Sequence, residues 1–346
     1  MSLPSRRFAL AAIATAVLAS RAFATPVRAQ APIKIRFTLD WRFEAPAALF
    51  TLALDRGYFA DEGLDVSIDP GNGARDVIPK IAANTYDLGL GDVNALIRFR
   101  DDNPTLDVKA VMLLDDRPAF SIVGRKSRGI TRDIKSLEGK KFGAPATDAA
   151  YAQWPILKAM QRLDASAMTF ENVGFPVREP MLASGEVDAV FGLAYSSFIT
   201  LKARGVAVDD ITLLLMSDYG LDLYGNAVVA SPKLLAENPG AVRKFLTATL
   251  RGIKDVIKDR EAAIDSVIKR NDAAKKDVEL ERLSMVLEQN IMTPWVKANG
   301  IGAIDSARWA RALDQIGLGL PLKDKAKAGA SFTDAFLPPA AERKLD

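Results

Sequence analysis

Asp40-Trp41-Arg42 sets a carboxylate, an indole and a guanidinium on successive positions, directly after the β-prone run Lys34 to Leu39. Such a trio can stack a planar solute on the indole while the charges hold its polar edge. Small polar or aromatic clusters recur along the chain: Asn72 between two glycines, Asp92 and Asn94 two apart, Asp115-Asp116-Arg117, Thr147 beside Asp148, and Tyr195, Tyr219 and Tyr224. Asn72, Asn94 and Thr147 are short polar groups where a strand hands over to a helix, so each either meets a ligand beside a helix N-terminus or caps that helix. Asp92 has the same two readings, acceptor from a ligand N–H or first-turn acid. Arg42 and Arg117 suit a bidentate grip on a carboxylate or sulfonate, or an ion pair within the protein. The tyrosines offer aromatic walls or core packing. These are groups that bind rather than react. The chain contains no histidine and no cysteine, which excludes Ser-His-Asp triads, thiolate nucleophiles and His- or Cys-ligated metals. Asp115 and Asp116 adjoin on extended chain and point to opposite sides, unlike an acid/base pair. Gly71-Asn72-Gly73 and Gly317-Leu318-Gly319 lack the spacing of a phosphate loop. No catalytic residue, metal or cofactor is expected.

The elements that position these groups repeat. Lys34 to Leu39, Leu64 to Ile68 and Asp87 to Gly91 read as strands, each followed by a helical segment: Pro46 to Leu54, Ala74 to Ala83 and Asp92 to Arg98. The order returns with Lys141 to Ala144, Phe170 to Val173 and Asp188 to Val190, and the stretch Leu182 to Val190 echoes Ile81 to Gly89 with Gly185 in the place of Asn84. Strand and helix in alternation imply parallel sheets, and two copies of one plan imply two α/β lobes. Ligands of open α/β sheets lie beyond the carboxyl ends of the strands. The loops there are Asp40 to Glu44, Pro70 to Gly73 and Gly91 to Asn94 in one lobe, and Ala144 to Asp148, Gly174 to Pro176 and Leu193 to Ser196 in the other. If the lobes face each other, all six line one cleft. The chain leaves the first lobe near Asp115-Asp116-Arg117 and returns near Tyr219 to Asn226, so two connections form a hinge. Lobe I is expected to hold residues 30–117 and 223–346, and lobe II residues 118–222. The last third, Gly240 to Lys269, Glu279 to Ile291 and Ser306 to Ile316, is mostly amphipathic helix.

Arg6-Arg7 and the apolar run Phe8 to Ser20 have the form of a secretion signal, with cleavage expected near Ala29. Ser5-Arg6-Arg7 leaves the Sec and twin-arginine routes both open. Without residues 1–29, which carry Arg6, Arg7, Arg21 and Arg28 and no acid, the formal net charge of +3 becomes −1. The remaining Lys and Arg are spread along the chain, so no nucleic-acid footprint is expected. No later stretch is apolar for long enough to insert into a membrane. A monomer is expected.

Leu39-Asp40-Trp41, Gly57-Tyr58-Phe59 with Glu62-Gly63-Leu64-Asp65-Val66, Tyr86-Asp87-Leu88-Gly89, Ser136-Leu137-Glu138-Gly139-Lys140-Lys141-Phe142-Gly143 and Gly185-Glu186-Val187-Asp188-Ala189 together resemble the periplasmic binding proteins of ABC importers. The group is the one serving nitrate, taurine, alkanesulfonates and thiamine pyrimidine precursors, and the likeness spans roughly Ile33 to Glu237. It implies a two-lobed periplasmic-binding-protein fold (type II-like), each lobe a mostly parallel sheet flanked by helices. It also implies a periplasmic carrier that closes on an anionic or heteroaromatic organic solute and delivers it to a membrane permease driven by a cytoplasmic ATPase. The thiamine-precursor branch continues Leu-Asp-Trp with an Asn- and His-containing loop, whereas this chain has Arg42-Phe43-Glu44-Ala45-Pro46. The fungal enzymes of that branch use a Cys cluster and a His, neither of which is present here, so the resemblance favours a carrier over a catalyst. The alternatives are a ligand-sensing component of a periplasmic signalling complex and a pyrimidine-metabolism enzyme on the same fold.

Overall fold

The computed structural model describes residues 31–345; the expected secretion signal, residues 1–29, lies outside them. Residues 32–345 form one compact unit built on two five-stranded sheets. The first has the order β2-β1-β3-β10-β4, with β1 Ile33–Thr38, β2 Leu64–Asp69, β3 Leu88–Asp92, β4 Lys109–Leu113 and β10 Asn226–Ala230. The second has the order β7-β6-β8-β5-β9, with β5 Phe120–Arg125, β6 Lys141–Gly143, β7 Thr169–Glu171, β8 Ala189–Leu193 and β9 Ile211–Leu215. The chain crosses from the first sheet to the second after β4 and back after β9.

Each sheet is mixed rather than wholly parallel. β2, β1 and β3 pair in parallel, as do β7, β6 and β8, but β10 is antiparallel to both β3 and β4, and β5 to both β8 and β9. The reversed strand is always the first one after a crossing. β4 runs toward the rim where β1 and β3 end, so a chain that crosses there enters the other sheet at its carboxyl rim and must run away from it. The reversed strands therefore require the two carboxyl rims to face each other.

Helices α1 (Ala48–Asp55), α2 (Tyr58–Asp61), α3 (Ala74–Ala82) and α4 (Val93–Asp102) connect the first sheet, and α5 (Ala149–Ala152), α6 (Trp154–Gln161), α7 (Phe175–Ser184) and α8 (Ala194–Ala203) the second. The expected echo is structural. Asn84 after α3 and Gly185 after α7 both adopt left-handed backbone, φ 56° and 82°. Asp87 then accepts from Arg36 N at 2.8 Å and Asp188 from Lys141 N at 3.0 Å, each locking a helix-to-strand turn onto the neighbouring parallel strand.

The C-terminal part is helical, as expected: α9 (Pro232–Glu237), α10 (Pro239–Lys258), α11 (Arg260–Ile268), α12 (Lys276–Val286), α13 (Pro294–Asn299) and α14 (Ser306–Gly319), with a π-helical turn at Leu287–Ile291. β1 alternates exposed Lys34 and Arg36 with buried Ile35 and Phe37, the period-two pattern of a strand with one covered face. Phe37 meets Phe50 of α1 and Phe245 of α10 at 4.5 and 5.2 Å, and Phe59 stacks on Phe245 at 4.9 Å. The Gly57-Tyr58-Phe59 motif is thus an anchor: Gly57 turns the chain at φ 75° and Phe59 enters the core. α12 packs on α8 and α14 on α6, so the C-terminal helices touch both lobes.

Candidate functional site

Asp40 follows β1 and is 8% exposed. Its Oδ2 accepts from Asn226 Nδ2 of β10 at 2.8 Å. The loop after β2 is laced to it: Gly73 N donates to Asp40 O at 2.8 Å and Gly71 N to Trp41 O at 2.9 Å. A Cβ at position 71 would stand 2.0 Å from Leu39 O, and Gly73 sits at φ 114°. Glycine at these two positions is what lets the loop approach and hold the Trp41 backbone.

Across the gap, the N-terminal turn of α7 presents Phe175. Its ring lies 4.7 Å from that of Trp41, centroid to centroid, at 57°. Arg75 Nη1 donates to Ala146 O at 2.9 Å, and a Cβ on Gly73 would be 3.4 Å from Thr147 O. The lobes touch along this line. Behind it lies a cavity of about 70 Å³ between the two rims, where ligands of open α/β sheets bind. Trp41, Phe175 and Tyr195 give it aromatic walls, and Asp40, Glu44, Asp148 and Arg178 reach it as charged groups.

These charges differ in kind. Arg178 is 5% exposed and consumed by the protein: Nη1 donates to Asp148 Oδ2 at 2.8 Å, Nε to Glu179 Oε1 at 2.7 Å and Nη2 to Ser197 Oγ at 3.3 Å. Burial works against its charge, but the carboxylates of Glu179 and Asp148 outweigh that and hold the guanidinium above its usual value. Asp40 has no cation beside it. Burial pushes its carboxyl up to about 6, against the pull of hydrogen bonds from backbone and Asn226. Glu44 is likewise raised by burial, partly opposed by Arg282, whose Nη1 stands 3.4 Å away. Asp115, at the end of β4, is pushed up to about 7 by burial and by Asp40 and Asp92, although Asn226 N donates to it at 3.3 Å. Burial and the nearby Asp115, Asp40 and Glu44 keep the Tyr195 phenol well above its usual value, so it is a proton donor at the cavity wall.

Of the residues singled out in the sequence, Asp40, Trp41, Arg42, Thr147 and Tyr195 line this cavity, drawn from both lobes. Arg42 is exposed and lies over the Trp41 ring at 5.2 Å. Asn72 is exposed beside the lining residue Gly73 without itself lining. The others lie elsewhere. Asp92 caps α4, accepting from Asn94 N at 3.0 Å and Ala95 N at 3.3 Å, and Asn94, 1% exposed, donates to Tyr224 O at 2.7 Å. For Asp92 the helix-cap alternative describes the geometry, whereas Asn94 is a buried brace between that cap and the Tyr224 carbonyl. Arg117 pairs with Asp218 at 2.5 Å and bonds Ser217, an ion pair at the hinge. Tyr219 donates to Arg132 O at 2.6 Å. Tyr224 is buried, with its hydroxyl accepting from Asp305 N at 2.9 Å. Sequence reasoning named the loops holding Phe175 and Glu44 but not the residues, and missed Arg178 altogether. Their partners Arg282 and Asp148 stand far away in sequence, a pairing that no local spacing signals. Among the described residues, no group of three or more acids is arranged to hold a metal ion.

Comparison with known proteins agrees with this geometry. The family profile described as NMT1/THI5 like matches residues 46–263. Riboflavin-binding protein RibY of Chloroflexus aurantiacus is 27% identical over 299 residues, 84% of this chain and 82% of its own. A 4-amino-5-hydroxymethyl-2-methylpyrimidine phosphate synthase of Aspergillus parasiticus is 27% identical over 243 residues, 68% of this chain and 70% of its own. Among solved structures, the alkanesulfonate-binding protein SsuA of Xanthomonas axonopodis pv. citri, bound to MOPS, has a TM-score of 0.66 at 15% identity, covering 88% of this chain and 99% of that one. The fold is that of the periplasmic binding proteins.

Proposed function

The chain belongs to the NMT1/THI5-like family, and on that footing we propose that it is the periplasmic solute-binding component of an ABC importer. Residues 1–29 direct export, lobe I (30–117 and 223–346) and lobe II (118–222) close on one solute, and the closed monomer delivers it to the permease. The observation that carries this reading is the cavity between facing rims, where Trp41 of one lobe and Phe175 of the other meet at 4.7 Å.

The solute is a planar heteroaromatic compound that donates N–H bonds. Three aromatic side chains suit a flat ring. Asp40 and Glu44 are acceptors in a site shielded from water, whereas the buried cation Arg178 is already neutralised by two carboxylates. A sulfonate would therefore meet buried acids, with only the exposed Arg42 at the lining to balance it, a poor exchange for its hydration. The name of RibY, a riboflavin binder, points the same way. Isothermal titration with riboflavin, aminopyrimidines and alkanesulfonates tests this: binding of a heteroaromatic N–H donor supports it, and binding of sulfonates alone overturns the solute class.

The Aspergillus relative named as a synthase favours a second reading, an enzyme of pyrimidine metabolism. The absence of histidine and cysteine weighs against it. Mass spectrometry of the bound compound before and after prolonged incubation separates the two, since a carrier returns its solute unchanged.

A further inference from the structure

Two stretches join the lobes, 114–119 and 216–225. The antiparallel bonding of β4 with β10 runs on into both: Leu114 N and Asp115 N donate to Asn226 O at 3.0 and 3.1 Å, and Gly225 N to Asp115 O at 2.9 Å. There the ladder stops, and a side chain from a third segment takes over. Arg308, in the first turn of α14, donates through Nη2 to Asp116 O at 2.7 Å and to Leu223 O at 2.6 Å, and through Nη1 to Asp116 Oδ1 at 3.0 Å. Its Nε stands 2.8 Å from Asp222 Oδ1, and the guanidinium lies 4.0 Å over the Tyr224 ring. The other oxygen of Asp116 accepts from Thr293. One planar fork thus bonds a carbonyl on each connection. Only arginine presents donors in that arrangement.

We propose that Arg308 is the positioning residue of the hinge, clasping Asp116 to Leu223 so that lobe motion is confined to 118–119 and 217–221. This rests on the reading of the protein as a solute carrier whose lobes close. The clasp sets where rotation begins, because a connection whose carbonyls are bonded to a half-buried cation cannot bend there without breaking those bonds. Beyond the clasp Arg117 bonds Ser217 and Asp218 from one connection to the other through side chains that face solvent, while its backbone is tied at both N–H and C=O to the buried Asn290, and Asp222 N donates to Gln315. Arg308 does not line the solute cavity, so any effect it has on affinity passes through the hinge. Loosening it lowers the fraction of molecules in the binding-competent closed form, and apparent affinity falls by that fraction.

The absence of cysteine allows a direct test. Glu237→Cys and Arg204→Cys place one spin label on an exposed site of each lobe, and double electron–electron resonance of the solute-free chain reads the distance distribution. Arg308→Lys, which keeps the charge and loses the fork, is expected to broaden that distribution about twofold or more, out of proportion to any fall in melting temperature. Arg308→Gln replaces it should the lysine variant not fold, and Asp116→Asn, which keeps the clasp on both carbonyls, is expected to broaden it less than either. An unchanged distribution in folded Arg308 variants makes the residue an ordinary brace and overturns the proposal. That outcome is separate from failure of the carrier reading, which would show as no heteroaromatic binding to the parent chain in titration.

Discussion

The two lobes share a plan and differ in how they treat charge at the rim where they meet. In lobe I, Asp40, Asp92 and Asp115 end the strands β1, β3 and β4, and burial lifts all three, to about 6, 6 and 7. In lobe II, the corresponding region carries Asp148 and Glu179 locked onto Arg178, each 6% exposed or less. Lobe I therefore presents buried acids without a salt-bridge partner, of which Asp40 lines the cavity and Asp92 caps α4, while lobe II presents a neutralised network. The two lobes place their loops alike and differ in the chemistry those loops carry. One wall recognises; the other covers.

The largest expected effect breaks the covering wall. Arg178→Met leaves two buried carboxylates without a cation and should destabilise the protein by about 3–5 kcal/mol, measured as a shift of the urea midpoint. The same experiment on the recognising wall should change sign. Asp115→Asn removes a group that prefers to be neutral, and at pH 8 it should raise stability by about 2 kcal/mol. The pH profile sharpens this. Because Asp115 is raised in the folded state, the native protein holds its proton where the unfolded chain has released it, so this contribution to stability is lost as pH rises from about 4 to about 7. Asp115→Asn should flatten that slope; a slope rising with pH over this window would contradict the assignment. Asp40→Asn should also be tolerated by the fold, yet weaken an N–H-donating solute roughly tenfold at pH 8. In the parent protein, affinity should fall as pH drops through about 6, where Asp40 gains a proton and loses the charge that makes it a strong acceptor. Titration calorimetry across pH reads both.

How far these contrasts could be seen in advance depends on range along the chain. The strand-helix alternation, the facing loops and the pair Trp41 and Thr147 follow from local patterning, since turn residues and apolar periodicity report local backbone. The reversed strands β5 and β10 were not legible, because direction within a sheet is settled by which rim the chain crosses. The site divides in the same way. Asp40 and Trp41 stand out beside their strand, but Arg178 reads as one more charge on a helix until folding brings Asp148, thirty positions earlier, within 2.8 Å. Arg117 failed as a cavity residue for the converse reason: it sits in the right connection and faces its outer side. Asp92, at the start of a helix, carries the capping alternative in its position and fills that role, while Asn94 bonds Asp92 and the distant Tyr224 carbonyl, a partner no local spacing signals.

The smallest effect tests the likeness itself. Asp87 and Asp188 hold the same turn in the two lobes, each accepting from a backbone N–H of the adjacent parallel strand and each paired with an arginine, Arg36 at 3.0 Å and Arg128 at 2.9 Å. Their side chains are 20% and 19% exposed. Equal surroundings imply equal cost. Asp87→Ala and Asp188→Ala should each destabilise by about 1 kcal/mol, the worth of a partly exposed hydrogen bond plus a screened ion pair, and the double variant should lose the sum, because the sites are in separate lobes. Urea unfolding of the three variants at low and high salt gives the comparison. If one aspartate costs several times the other, the repeat is a resemblance of outline only, and the divergence at the rim then extends into the framework that carries it.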